Sequence, residues 1–491
     1  MNELMLFVII MIPFLFGVLI PILPFQKRSH MLLYIETIVV VNSILVWILL
    51  LNRPSDTFTM LYFTGNLSVT FHLDGLACVF AGLVSALWPL ATLYSFEYMK
   101  HENHEKVFFM FYTMTYGVTL GIAISGNILT MYFFYELLTL VTTPLVLHTL
   151  TREAVLASRT YLYYSLGGAA FAFIGMIFVV VYGDSIDFLY GGVLHADSYP
   201  GGTNLLLLIY VLAFMGFGVK AAICPFNSWL PKAGVAPTPV TALLHAVAVV
   251  KSGAFAIMRL TYYSFGVDFL RGTWAQYTVM AITMFTIVYG CSMAVKERHF
   301  KRRLAYSTIS NLSYILFGVT IMTPLGLVGA LAHMVAHAVM KIASFFCAGA
   351  VIYKTGKNYV YELDGLGHKM PKIFGIFTLS AFALMGVPGL CGFVSKFYLA
   401  KAAVDSGNPL AYIGIAAILI SAILTAIYMV SIVLRVFFPQ KGFDESSIGK
   451  AEDPNWMMLL PLGCFCIGML VIGIYSQPLI DLFTKIANGL F

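Results

Sequence analysis

Charge is what this 491-residue chain has least of: Asp, Glu, Lys and Arg make up 10% of it, against about 25% in an ordinary soluble domain. Hydrophobic residues account for 60% and the mean hydropathy is +0.90. That excludes a soluble globular fold and reads as an all-α integral membrane protein. Long hydrophilic stretches are also missing, which leaves no room for a water-soluble catalytic domain. Cysteine is sparse and unpatterned: Cys78, Cys224, Cys291, Cys347, Cys391, Cys464 and Cys466 show no CxxC or Cys/His ligand spacing. All seven read as small apolar packing residues. No flavin, nicotinamide or nucleotide fingerprint is present, so the expectation is no cofactor and no metal in this chain, and no nucleic acid partner. The first apolar run is preceded by Met1-Asn2-Glu3 and followed by Lys27-Arg28. This order opposes a cleavable signal and favours a first helix inserted with its N-terminus outside.

A membrane span needs about 20 largely apolar residues. Fourteen stretches qualify: 4–23, 31–51, 75–95, 107–125, 128–149, 161–182, 205–226, 238–262, 275–295, 304–322, 326–352, 373–400, 410–438 and 455–476. The distribution of basic residues tests that count. Loops after odd-numbered spans hold nineteen, from Lys27 and Arg28 through Lys301, Arg302 and Arg303 to Lys441 and Lys450. The opposite side holds five: Arg53, Arg259, Arg271, Lys401 and Lys485. The basic loops are therefore expected in the cytoplasm, with both termini outside a cell (cytoplasmic or inner) membrane.

The remaining four lysines, Lys220, Lys251, Lys341 and Lys396, lie inside spans, as does Glu136. A charge at mid-bilayer costs at least about 2.5–3.5 kcal/mol, so each is a functional candidate. Glu36 reads as interfacial, and Asp74, opening the third span, as an N-terminal helix cap or a vestibule charge. Lys220 stands five residues before Pro225, and Lys396 eight residues after Pro388. Proline removes a backbone hydrogen bond, so spans seven and twelve are predicted to be broken helices. They lie five spans apart, and an odd shift reverses direction across the membrane. Residues 107–262 and 275–438 thus read as two inverted five-helix repeats, flanked by helices within 1–106 and a last helix within 455–491. Broken helices in inverted repeats are a transporter signature.

In HMVAHAVMK the residues His333, His337 and Lys341 are spaced four apart, on one helix face over about 12 Å. Imidazole titrates near neutrality, so such a stripe passes protons where water connects it. His245 and Lys251 are six apart, about 240° around a helix, and are free to contact different neighbours. A buried carboxylate needs a cation, which makes Lys220 the natural partner for Glu136.

Four segments carry a resemblance: NSWLPKAGVAPTPVTALLHAVAVVKSGAF (227–255), RRLAYSTISNLSYI (302–315), HMVAHAVMKIASFFCAG (333–349) and GVPGLCGFVSKF (386–397). Over residues 70–440 the chain resembles the antiporter-like subunits of respiratory complex I, of multisubunit Mrp cation/proton antiporters and of membrane-bound hydrogenases. The resemblance implies that Glu136 is the fifth-helix glutamate gating Lys220, and that His245 or Lys251 serves the eighth helix. It further implies a central relay of His333, His337 and Lys341, and an exit at Lys396. It implies partner membrane subunits, including homologous antiporter-like ones, within a redox-driven translocase or an Mrp-type antiporter. The chain ends soon after span fourteen, which matches the shorter subunits, although PTPVTALLHA leans towards the largest one. Pro388-Gly389 replaces a common proline pair.

The expected function is translocation of protons, or of sodium against protons, with charge passing from Lys220 through Lys251, His333, His337 and Lys341 to Lys396. Two alternatives stay open: a self-sufficient secondary transporter for a cation or metabolite, and a scaffold whose buried charges lock helices together.

Overall fold

The computed structural model describes residues 2–53, 57–65, 67–439 and 451–490. Lys441 and Lys450, counted above among the basic loops, lie outside the described residues. In chain order the helices are α1 (Asn2–Leu19), α2 (Arg28–Asn52), α3 (Gly75–Tyr98), α4 (Glu105–Ala123), α5 (Ile128–Val146), α6 (Arg152–Tyr182), α7 (Thr203–Lys220), α8 (Trp229–Ala233), α9 (Thr238–Ala242), α10 (Val249–Arg259), α11 (Val267–Leu270) and α12 (Trp274–Lys296). They continue with α13 (Phe300–Thr320), α14 (Pro324–Thr355), α15 (Leu366–Lys369), α16 (Pro371–Met385), α17 (Cys391–Asp405), α18 (Pro409–Phe437), α19 (Trp456–Ile474) and α20 (Gln477–Ala487). The fold is mostly helical. Among the described residues, ten helices are long and apolar enough to cross a membrane.

The all-α expectation needs one correction. Between α2 and α3, β1 (Phe58–Tyr62) and β2 (Ser68–Phe71) form an antiparallel hairpin with Phe58 opposite Phe71. Alternating threonine and aromatic residues suit a pleated surface, and Asn127 Nδ2 ties β2 to the start of α5 through the Ser68 carbonyl, at 2.8 Å.

Capping residues set the long helices. Thr323 Oγ1 accepts from Gly326 N at 3.1 Å, Pro324 occupies the first turn and Gly356 closes α14 at φ 69°, the combination expected of a stable start and stop. Asn127 caps α5 by accepting from Thr130 N at 2.8 Å. Asp74 caps α3 through Ala77 N at 2.9 Å, as one of its two readings expected.

Burial divides the bundle. The spans Thr238–Phe265 and Pro324–Thr355 have 100% and 89% of the residues in their most apolar 18-residue stretches buried, against 28% in α19. The first of these is no regular helix: π segments occupy Leu243–Val247 and Leu260–Phe265. A π turn takes in an extra residue, so the 240° separation of His245 and Lys251 does not apply there.

Both predicted breaks are present. α7 ends at Lys220, the chain turns through Ala222 at φ 55°, and α8 resumes at Trp229. Trp229 Nε1 donates to the Val219 carbonyl at 2.8 Å and Cys224 N to Thr286 Oγ1 at 3.1 Å. α16 ends at Met385 and α17 begins at Cys391, with Gly386 and Gly389 at φ 93° and 86°. Those conformations fall where side chains are disfavoured.

Candidate functional site

Lys220 is buried, at 1% exposure. Its Nζ donates to the backbone carbonyl of Tyr135 and lies 3.4 Å from the centre of the Tyr135 ring. The Tyr135 hydroxyl in turn donates to the Phe217 carbonyl on α7, at 3.2 Å. The lysine therefore docks one residue from Glu136, on the same helix. No ion pair within 4.0 Å joins the two among the described residues, yet they remain in electrostatic reach of each other. Glu136 is half-buried, and its Oε1 meets no partner in the protein.

Across the bundle, Lys251 Nζ contacts His337 Nδ1 at 2.5 Å, joining α10 to α14. Both residues are 0% exposed. A Cβ on Gly253 would lie 2.6 Å from Ala221 N, so the absence of a side chain lets α10 approach the break after Lys220. His337 and His333 stand one helical turn apart, with ring centres 6.1 Å from each other. His333 Nδ1 contacts Ser395 Oγ at 2.9 Å on α17. The Tyr314 ring lies 5.1 Å from the His333 ring and 5.3 Å from Lys396 Nζ. Lys396 Nζ donates to the Leu384 and Met385 carbonyls at 2.7 and 3.1 Å. Helices leave their last carbonyls unpaired, and here a lysine from beyond the break occupies the two at the end of α16.

The contacts alter the order expected from sequence. His333, not Lys341, adjoins the Lys396 helix; Lys341 points the other way and donates to the Leu304 carbonyl at 3.1 Å. His245 stands apart from the Lys251–His337 pair, its ring tilted over Phe345 at 4.8 Å, and neither of its nitrogens makes a well-formed hydrogen bond. His333 Nε2 and His337 Nε2 are likewise buried and unsatisfied by protein. Buried polar atoms are paired with protein or with water in the great majority of cases, and these nitrogens take no protein partner.

Basic residues assigned to loops by sequence position are in places buried. Arg259, grouped with the outer loops, is 1% exposed and forms a bidentate ion pair with Asp74, its Nη2 at 2.7 Å from Oδ1. Lys301 and Arg303, grouped with the cytoplasmic loops, are also buried: Lys301 Nζ donates to the Ala236 carbonyl at 3.0 Å. Glu36, read as interfacial, lies eight residues into α2, half-buried with Oε2 unsatisfied. Ser395, Tyr314 and Tyr135 were not singled out in the sequence. Ser395 and Tyr314 do fall within the quoted segments, next to Lys396 and inside RRLAYSTISNLSYI.

Comparison with known proteins gives the family of this helical bundle and shows a fold it shares. The chain belongs to the family described as NADH:quinone oxidoreductase/Mrp antiporter, TM, whose model matches residues 125–425. Residues 62–109 match the model of NADH-Ubiquinone oxidoreductase (complex I), chain 5 N-terminus. One subunit of a probable K(+)/H(+) antiporter from Rhizobium meliloti (strain 1021) is 30% identical over 429 residues, which is 86% of this chain and 42% of that protein. The chain thus spans less than half of that relative's length. The chloroplastic NAD(P)H-quinone oxidoreductase chain 4 of Adiantum capillus-veneris is 29% identical over 496 residues, covering 98% of this chain and 97% of that one. A chain from the membrane-bound sulfane sulfur reductase, an archaeal respiratory membrane complex, shares the fold with a TM-score of 0.85 at 22% identity, over 99% of this chain and 97% of that chain.

Proposed function

We propose that this chain is a proton-translocating, or sodium/proton-translocating, subunit of a multisubunit membrane complex. The observation that carries the reading is the Lys251–His337 contact at 2.5 Å. It bridges residues 107–262 and 275–438, which we take as the two inverted five-helix units of a fourteen-span chain flanked by 1–106 and 455–491. Glu136 and Lys220 form the gate of the first unit. Lys251, His337 and His333 relay charge through water meeting their open nitrogens, and Lys396 is the exit. His245 and Lys341 flank this row and tune its charge. At an effective dielectric near 20, two unit charges 4 Å apart repel by about 4 kcal/mol, or about three pKa units. A proton arriving at one member therefore displaces the proton of its neighbour.

This chain's own groups only pass charge. The driving energy comes from partner subunits, of the kind the names of its relatives describe: quinone oxidoreductases and cation/proton antiporters. The basic loops face the cytoplasm and both termini lie outside. The test is proton or sodium movement in vesicles carrying the assembled complex. Lys220→Ala and Lys396→Ala should assemble and fail to translocate; variants that assemble and translocate fully would remove the reading. The Lys396 bonds to Leu384 and Met385 favour a second reading, in which the lysine is a helix-locking scaffold element. Lys396→Gln keeps donors for those carbonyls and separates the two.

A further inference from the structure

On the basic side of the bundle, α12 ends, α13 begins and α18 ends around a cavity of about 520 Å³ that plays no part in the Lys/His row. Its lining includes Lys296, Arg298, Arg303 and Arg435, together with Ser431 and Tyr361, and, among the described residues, no carboxylate. Arg435 is paired with Asp364 at 3.2 Å, while none of the ion pairs among the described residues takes Lys296, Arg298 or Arg303. Arg303 is held rigidly. Its Nε donates to the Glu297 carbonyl at 2.8 Å, and Nη1 to the Tyr428 carbonyl and Ser431 Oγ at 3.2 and 3.0 Å. Nη2 takes no part in these three bonds, so one edge of a locked guanidinium fork is left for an anion.

The apolar lining of the same cavity is Val295, Val360 and, from α18, Ile427. Ile420, Ile423 and Ile427 are spaced three and four apart, on one helix face, and about half of each side chain is exposed. That face runs from the cavity about 10 Å along the helix axis, into the hydrocarbon depth. A concentrated positive pocket at the helix ends, continuous with an aliphatic track leading inward, matches one chemistry on both counts. We propose that this cavity binds the phosphate headgroup of an anionic phospholipid, with an acyl chain lying along Ile427, Ile423 and Ile420. Basic pockets between spanning helices on the cytoplasmic side recognise such headgroups.

The full chain in detergent tests this, by bound lipid in native mass spectrometry and by thermal midpoint, with added phosphatidylglycerol, phosphatidylcholine or inorganic phosphate. Phosphatidylglycerol should stay bound and raise the midpoint, and the other two should do neither. The exposed pair Lys296→Gln/Arg298→Gln should weaken phosphatidylglycerol by about thirtyfold. Ile423→Ser/Ile427→Ser should also weaken it, without altering the response to phosphate. Equal retention of phosphatidylcholine, stabilisation by phosphate alone, or undiminished binding in the charge variant would overturn the proposal. So would a protein segment filling this cavity in the assembled complex. The readout is lipid binding, so it stands or falls separately from ion translocation.

Discussion

The two broken helices solve the same problem in opposite ways. At the first break, Lys220 is the last residue before the chain turns, and its amine crosses to another helix, onto the Tyr135 carbonyl beside Glu136. That carbonyl sits inside α5, where the helix ladder already serves it. At the second break, Lys396 lies beyond the turn and reaches back to the carbonyls of Leu384 and Met385. Among the described backbone bonds, none closes those two carbonyls. Among the described residues, no acid pairs with Lys396, whose amine donates to the two carbonyls. The first lysine is therefore poised against a charge, and the second is poised against dipoles that also need it structurally. A cation docked on an already served carbonyl beside a carboxylate and one bonded to two otherwise open carbonyls respond differently to loss of the ammonium.

The largest expected effect tests the charged side of this comparison. Groups positioned for proton transfer contribute about 10²–10⁴ in rate, so Lys220→Ala should slow translocation by about a hundredfold in vesicles carrying the complex. Glu136→Gln should do nearly the same. Residues acting as a unit do not add, so the double variant should be no slower than Lys220→Ala. Multiplying losses would show that Glu136 and Lys220 act separately, and the contrast between the breaks would collapse.

Next in size is the structural side. Leaving a buried acceptor unpaired costs about 1–3 kcal/mol, so Lys396→Ala should lower thermal stability in detergent by about 2 kcal/mol or more. Lys220→Ala removes only a second bond from a served carbonyl and should cost less. Lys396→Gln should restore part of the stability and none of the translocation. Equal stability losses at the two lysines would erase the distinction.

A smaller effect concerns the bridge between the halves. Lys251→Ala should slow translocation by about tenfold, because among the described residues the 2.5 Å contact to His337 is the side-chain hydrogen bond that links α10 into the row. His245→Ala should act more weakly, since its ring rests on Phe345 and makes no well-formed hydrogen bond. If the two rank in reverse, the relay runs through the π segment instead.

How far the sequence reached depends on which physical signal each residue carried. Prolines and glycines beside lysines announced both breaks, because backbone chemistry is local. The adjacency of His333 and His337 was legible from spacing alone, since α14 is a regular helix from Pro324 to Thr355, whereas Lys341 turns its amine to the Leu304 carbonyl. His245 and Lys251 do contact different neighbours, Phe345 and His337, as their spacing allowed, although a π segment rather than a regular helix separates them. Burial of Arg259, Lys301 and Arg303 was not legible: each lies near a span end, and only tertiary packing shows that Asp74, Ala236 and Tyr428 supply their partners. The β1–β2 hairpin was missed for a related reason, being short and set between two strongly apolar helices.

The least effect is expected at the contact that sequence order misjudged. His333 Nδ1 meets Ser395 Oγ at 2.9 Å, and that hydroxyl also lies 3.1 Å from the Gly392 carbonyl, to which it donates. With its proton committed to Gly392, the serine accepts from Nδ1–H, which leaves Nε2 of His333 as the nitrogen that takes up a proton. Ser395→Ala removes the acceptor and frees the ring to change tautomer, while Lys396 and its carbonyls stay as they are. One hydrogen bond contributes about 1 kcal/mol, so translocation should slow by about fivefold with thermal stability little changed. Ser395→Thr keeps the hydroxyl and should recover the rate. A full rate in Ser395→Ala would route charge to Lys396 past Tyr314 alone. A collapse as deep as that of Lys396→Ala would make Ser395 part of the second break itself.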